Sequence, residues 1–223
     1  MKSIFDMKYQ LYRSYINPYL LELIPRDSSV LDVGCSGGQF GKILQETKNC
    51  VVYGIDVSTA AINEAKHFLK NAQVMDVEKD IFPFEGNQFS IILFGDVLEH
   101  LIFPEIALAR FKSYIEPNGK IIISIPNVAF IGMRVRLIFG NWDYQPSGIM
   151  DETHLRFYTR KTAAEMIMRC GLTIKAIKIS PGINFPKSDH RFLSKLAYKI
   201  CEVWPTLLAY QFIFIAECEQ NKR

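Results

Sequence analysis

The sequence predicts an α/β fold, a doubly wound and mostly parallel sheet of about seven strands that ends in an antiparallel pair. Three observations carry this reading. Between residues 30 and 125, short runs rich in Val and Ile alternate with helix-like segments, the pattern of successive βα units. Each run is apolar enough to be covered on both faces, as a strand within a parallel sheet is. The first run also leads directly into a glycine-rich turn and then a helical stretch.

The elements follow in order. An amphipathic helix from about Met7 to Leu23, broken near Pro18, has apolar and tyrosine positions recurring at three- and four-residue steps. Strands are expected at Val30 to Val33, Val51 to Ile55, Ala72 to Met75, Phe89 to Phe94 and Lys120 to Ile125. Ser58 can cap a helix running to Leu69, and Pro104 suits the first turn of another. The cluster Pro117, Asn118, Gly119 is expected to stop that second helix. Asn127 to Tyr158 mixes aromatic, basic and turn residues and interrupts the alternation, so it reads as an insertion, with Gly148 as a candidate hinge. A helix from Thr159 to Cys170 with Gly171 at its end, a strand at Leu172 to Ile179, a helix over Ser188 to Val203 and a strand near Leu208 to Ala216 complete the chain. The expected organisation is one domain: a helical cap at 1–27, a core at 28–126, a lid at 127–158 and a completing segment at 159–223.

Composition narrows the classes. With 223 residues, 49% of them hydrophobic and 22% charged, the chain is long enough for a substantial core, which excludes disorder for most of its length. A formal charge of +3 is too small to imply a nucleic-acid footprint. The five cysteines, Cys35, Cys50, Cys170, Cys201 and Cys218, form no CxxC pair, which points to a reducing, cytoplasmic setting. The opening residues carry charge before any apolar run could act as a signal peptide, and no stretch has the length of a membrane span.

The sharpest local signal is the run from Val30 to Gly41, VLDVGCSGGQFG. Glycine permits positive φ and removes the Cβ that would block a ligand lying across a strand end. The same residues also serve a tight βα turn that only packs helix on sheet, and both readings stand on this run alone. Asp56 follows the second strand 22 positions after Gly34, near the spacing at which a carboxylate accepts hydrogen bonds from ribose hydroxyls. Together they point to a nucleoside ligand. The glycines at 34, 37, 38 and 41 do not spell GxGxxG, which disfavours a dinucleotide.

At this point the stretch resembles motif I of the class I S-adenosylmethionine-dependent methyltransferases. Ser36 stands where that family often has glycine, and it is small enough to keep the loop open. Further stretches extend the likeness over about residues 28 to 180, closest to the branch of ubiquinone-biosynthesis O-methyltransferases, which includes small bacterial members associated with surface-glycan and natural-product pathways. They are Asp76 after the third strand, Asp96-Val97-Leu98-Glu99-His100, Ser124-Ile125-Pro126-Asn127, and Asp151-Glu152-Thr153-His154-Leu155-Arg156-Phe157-Tyr158. The resemblance implies a Rossmann-like seven-stranded sheet and S-adenosylmethionine as cofactor. It implies that Asp32, Gly34, Ser36 and Gly38 face the methionine moiety, that Asp56 and Val57 hold the ribose, and that Asp76 with the Val77 amide reads adenine. It places Asp96 along the adenine and the transfer cleft, and Tyr12, with Tyr15, over the methionine end. Packing against the core is the competing role of both tyrosines.

Methyl transfer from a sulfonium needs an acceptor held in line and its proton accommodated. His100 and His154 are the candidate bases or positioners, because neutral imidazole accepts a proton near pH 7; loop stabilisation is the alternative for each. Asp96, Glu99, His100 and His154 also offer mixed oxygen and nitrogen ligands for a divalent metal, similar to the ExxEH-plus-His pattern of small-RNA 2′-O-methyltransferases. In the insertion, Arg134, Arg136 and Arg156 could meet an anionic acceptor, or be solvated while the apolar stripe packs on the sheet. The expected partner is a small-molecule or glycan-precursor acceptor methylated on oxygen. The competing classes are a non-catalytic nucleoside-binding module, distinguished by whether the two histidines face an open cavity, and an RNA 2′-O-methyltransferase, which requires a continuous basic groove.

Overall fold

The computed structural model describes residues 4–12, 15–181 and 198–219. One sheet of seven strands organises them. The strands are β1 (Ser29–Val33), β2 (Val51–Asp56), β3 (Asn71–Val74), β4 (Phe89–Gly95), β5 (Ile115–Pro126), β6 (Leu172–Pro181) and β7 (Ala209–Cys218). Their order across the sheet is β3-β2-β1-β4-β5-β7-β6. The pairings from β3 to β5 are parallel, and β7 runs antiparallel to both β5 and β6. The expected doubly wound sheet with a terminal antiparallel pair is therefore present. The strand order reverses between β1 and β4, and in such sheets the crevice outside the strands' carboxyl ends at that reversal receives ligands.

Alternation along the strands builds a core on each face. Leu31, Val33, Ile92, Phe94, Ile121 and Ile123 enter one buried cluster, while Val30, Val52, Ile91, Leu93 and Ile122 enter the other. Helices α3 (Gln39–Lys48), α4 (Thr59–Ala65), α5 (Pro104–Phe111) and α7 (Arg160–Arg169) connect successive strands. Ser58 caps α4 by accepting from the Ala61 amide at 3.1 Å, and Thr159 caps α7 in a reciprocal box with Thr162. Pro18 opens α2 (Pro18–Leu23), which separates it from α1 (Ile4–Tyr12) where the sequence places a break.

Two expectations need correction. The helix after Ser58 ends at Ala65 instead of reaching Leu69. Leu69 turns inward instead, and its side chain occupies the space that a Cβ on Gly41 or Gly54 would need, each at 2.5 Å. The cluster Pro117, Asn118, Gly119 does not stop α5. That helix ends at Phe111, and a single turn at Lys112–Tyr114 leads into β5. The cluster lies within β5, where the register with β4 shifts between the pairs Phe89 with Ile115 and Ile91 with Lys120. The expected helix at 188–203 falls outside the described residues up to 197, and residues 198–203 are helical. No helix among the described residues is long and apolar enough to cross a membrane.

The insertion is tied at its base by a bridge between Asn127 and Tyr158 and contains α6 (Ile131–Ile138). Met133 of α6 packs with Ile149 and Met150, whereas Ile138 and Phe139 are exposed. Gly148 has φ +87°, and a Cβ there would lie 2.7 Å from the Tyr210 hydroxyl, so it seats the insertion on β7.

Candidate active site

The turn after β1 is built by its backbone. Gly34 and Cys35 both donate to the Ile55 carbonyl, at 2.8 and 3.0 Å, which draws the turn against the end of β2. Gly34 has φ +75°, and a Cβ on it would sit 2.5 Å from Val97 Cγ2. Gly38, at φ +78°, lies against Ala65 and Leu69. The glycine-rich stretch thus serves helix packing at Gly38 and Gly41 while Gly34 remains exposed at the strand end.

Two acids meet this turn. Asp56 accepts from the Ser36 amide at 2.9 Å and from the Ser58 amide at 2.8 Å, so it clasps the turns after β1 and β2 together. Burial raises its pKa, partly offset by these amides. Asp32 is buried on β1, and desolvation, reinforced by the charge of Asp56, pushes its carboxyl up to about 7. The Ser36 hydroxyl oxygen is buried without a hydrogen-bond partner among the described residues. Val57 is exposed beside Asp56. Asp76 begins the loop after β3 and is engaged by Lys79 at 2.7 Å and the Glu78 amide at 3.0 Å; burial raises its pKa, but these donors outweigh it and lower it overall. Val77 is buried, and its carbonyl accepts from Arg110.

At the end of β4 the chain turns sharply at Asp96, φ +56°. Asp96 accepts from the Ser124 hydroxyl at 2.6 Å and from Gln211 at 2.8 Å. It is absent from the ligand cluster, so the four-residue metal set is corrected to three: Glu99, His100 and His154 place one ligand atom each within 4.8 Å of one another. The reason is tertiary, because β5 and β7 supply the partners that hold Asp96 away. The amides of Leu155 and Arg156 donate to the Glu99 carbonyl at 2.9 and 3.0 Å, which docks the insertion on this turn and brings His154 beside Glu99.

The two imidazoles have defined tautomers. His154 Nδ1 lies 3.0 Å from the Ile149 carbonyl, which can only accept, so Nδ1 carries the proton. His100 Nδ1 lies 3.2 Å from the Thr153 carbonyl and 3.0 Å from its hydroxyl. Burial lowers the pKa of both rings, that of His100 to about 4 with the neighbouring His154 adding to the effect. Both are neutral at pH 7, with Nε2 unprotonated. Glu99 is 1% exposed, neither carboxylate oxygen has a hydrogen-bond partner among the described residues, and desolvation raises its pKa well above the usual range.

Helix α1 lies over this edge. Asp6 accepts from the Ser58 hydroxyl at 2.6 Å, Tyr9 donates to Glu64, and the Phe5 and His100 rings meet edge to face at 6.3 Å. Tyr12 donates to Asp151, so its hydroxyl is spent on the insertion, and Tyr15 lies beside Asp96 and Gln211. His154 lines a narrow recess with Glu99, Ile149, Arg156 and Phe157, and the partly exposed His100 ring lies 4.7 Å from the His154 ring, centroid to centroid. The arginines of the insertion are engaged within the chain: Arg134 with the Ala129 carbonyl, Arg136 with Asp143 and Arg156 with the Ile102 carbonyl. Sequence reasoning missed Lys8, Asp151 and Thr153. The motif around His154 contains two of them, but nothing in a helical pattern announces a lysine that becomes buried.

A family model described as a methyltransferase domain matches residues 6–177. The ubiquinone biosynthesis O-methyltransferase of Coxiella burnetii (strain RSA 493 / Nine Mile phase I) is 32% identical over 126 residues, covering 52% of this chain and 53% of that protein. The chain therefore spans about half the length of that relative. The protein of the same name from Acinetobacter baylyi is 27% identical over 201 residues, covering 80% of this chain and 79% of its own. Among solved structures, a TehB-like SAM-dependent methyltransferase from Corynebacterium glutamicum superposes with a TM-score of 0.60 at 16% identity, covering 95% of each chain. A putative methyltransferase in complex with the Haloferax volcanii Trm112 activator gives 0.65 at 12% identity, covering 97% of this chain and 98% of its own. The sheet order agrees with this likeness, and the chain belongs to the methyltransferase domain family.

Proposed function

We propose that this domain transfers a methyl group from S-adenosylmethionine to a hydroxyl oxygen of a small molecule or glycan precursor. The observation that carries this reading is the pair of neutral imidazoles with unprotonated Nε2 atoms, set at the end of β4 beyond the glycine turn. The names of the Coxiella and Acinetobacter relatives support an oxygen acceptor. The residues present fit the cofactor: an exposed glycine at the strand end, a buried serine hydroxyl lacking a partner, and a carboxylate closing the second strand. Asp32, Gly34, Ser36 and Gly38 would take its methionine end, Asp56 and Val57 its ribose, Asp76 and Val77 its adenine, with Asp96 along the cleft.

S-adenosylmethionine, when bound, supplies a methyl group on a sulfonium. His100 or His154 would take the acceptor's hydroxyl proton at Nε2 as the methyl group is transferred to the acceptor oxygen. Fixed tautomers keep a basic nitrogen in place without reorganisation at the moment of reaction. The test is release of S-adenosylhomocysteine with panels of phenolic, catecholic and sugar-phosphate acceptors. Turnover that requires both a hydroxyl acceptor and at least one of the two histidines supports the reading; cofactor binding with no turnover across the panels favours the binding-module alternative.

A second reading is favoured by Glu99, whose oxygens are buried and lack partners beside two imidazoles. Glu99, His100 and His154 would then hold a divalent cation, which lowers the pKa of a bound acceptor hydroxyl. Loss of turnover on chelation, restored by Mg²⁺ or Zn²⁺, separates this from metal-free proton transfer to histidine.

A further inference from the structure

Met133 is the one buried residue of α6, although six of the helix's eight residues, IGMRVRLI, are apolar or glycine. At 3.6 residues per turn, Ile131, Val135, Ile138 and the following Phe139 fall within an arc of about 100° roughly opposite Met133. Met133 packs on Ile149 and Met150, so this arc is turned away from the body of the domain. Its members are 37%, 44%, 79% and 75% exposed. Arg134 and Arg136 border the stripe on its two sides. Helix α1 repeats the pattern: Lys8 and Tyr9 are buried, while Ile4, Met7 and Leu11 on the other face are exposed. Both helices flank one segment of the insertion, since α6 rests on Ile149 and Met150 and Lys8 of α1 pairs with Asp151 at 2.5 Å. Trp142 and Tyr144, also exposed, lie in the loop between α6 and that segment.

Charge chooses the occupant of this surface. From Asn127 to Asn141 the chain has no acid, and its only cations are Arg134 and Arg136. The charges of α1 are spent inward, Asp6 on Ser58 and Lys8 on Asp151. Arg134 gives its Nε to the Ala129 carbonyl, and its terminal nitrogens have no partner among the described residues. Arg136 lies 3.5 Å from the exposed Asp143. An aliphatic and aromatic stripe edged by arginines matches an anionic bilayer surface, where the apolar side chains enter the acyl boundary and the guanidinium groups meet lipid phosphates. A second copy of this chain would present the same cations and no excess of acid to receive them.

We propose that α6, with the adjoining stripe of α1, lies on the surface of an anionic membrane and so brings the insertion that carries His154 to the lipid boundary. The contact is peripheral, because no helix among the described residues is long and apolar enough to cross a bilayer. It does not depend on methyl transfer and is observable without it.

The experiment sediments the full chain with vesicles of phosphatidylcholine and phosphatidylglycerol in equal parts, and with vesicles of phosphatidylcholine alone. The chain is expected to sediment with the mixed vesicles, less so as salt is raised, and to bind phosphatidylcholine alone more weakly. Ile138→Asp with Phe139→Asp is expected to lower partitioning at least ~10-fold, and Arg134→Gln and Arg136→Gln to lower it about 5-fold each. Should the double variant fail to fold, Val135→Glu is read in its place. The chain's two tryptophans locate the contact, each read in a variant whose other tryptophan is Phe. Trp142 emission is expected to shift to shorter wavelength on the mixed vesicles while Trp204 stays unchanged. A shift of Trp204 alone would assign the contact to the exposed Ile200, Val203 and Trp204 before β7 and overturn the proposal. No sedimentation with either vesicle overturns it, as does equal binding to both. A dimer in light scattering that the Ile138→Asp, Phe139→Asp variant abolishes, from a chain that binds no vesicles, gives the face to a second copy and overturns it too.

Discussion

Glu99 Oε1 lies 3.9 Å from His154 Nε2, a carboxylate from the end of β4 facing an imidazole from the insertion, both buried. The separation is too long for a good hydrogen bond and leaves the carboxylate with no donor among the described residues. A proton or a cation is what this arrangement lacks. Glu99→Gln keeps the shape and removes the negative charge. If a cation is held there, calorimetric titration of the variant with Zn²⁺ is expected to show affinity lowered about 10- to 100-fold or more. Equal metal affinity in both proteins would remove Glu99 from any cation site.

His100→Ala and His154→Ala separate chemistry from binding. Removing the residue that takes the proton is expected to lower kcat by about 10²- to 10⁴-fold, while S-adenosylmethionine affinity measured by calorimetry changes little. A loss confined to KM for the acceptor would identify that histidine as a positioner instead.

Asp32 gives the protein a pH dependence of known sign. Its folded pKa of about 7 stands above the unfolded value of 3.8, so the unfolded chain releases this proton first as pH rises. The stability associated with the buried neutral carboxyl is complete below about pH 4 and is lost progressively up to about pH 7. Asp32→Asn is therefore expected to match the unaltered protein in denaturant unfolding near pH 4 and to exceed it by a few kcal/mol, on the order of 1.4 kcal/mol per pH unit, near neutrality. A constant difference between the two proteins across this range would show that Asp32 does not titrate as its burial dictates.

At the turn itself, Gly34→Ala meets two obstacles, the left-handed backbone and Val97 Cγ2 at 2.5 Å from the new Cβ. The backbone part alone costs about 1–2 kcal/mol. Adding Val97→Ala is expected to recover the steric share and leave the conformational share, read as a partial return of the unfolding midpoint. Full recovery would mean that φ at this position carries no strain.

Much of this architecture was legible along the chain because its signals are local. The alternation that splits Leu31 and Val33 from Val30 between two core clusters is a period of two written in the sequence, and Ser58 and Thr159 act as caps, and Pro18 as a first helical residue, through atoms within a few residues. Where an expectation failed, a distant partner had intervened. Helix α4 ends early because Leu69 fills the hollow above Gly41 and Gly54, and Asp96 leaves the metal set because Ser124 and Gln211 hold it.

The sequence by itself determined the sheet class, the glycine turn, the acids that close the first strands and the two histidines, since each is a matter of residue type at short spacing. Tertiary structure alone decided which nitrogen of each histidine is basic, that Glu99 is left without a donor, and that Lys8 and Tyr12 reach Asp151. Hydrogen-bond geometry and desolvation depend on atoms brought together from separate elements, and for Lys8 and Asp151 those atoms lie 143 positions apart in the chain.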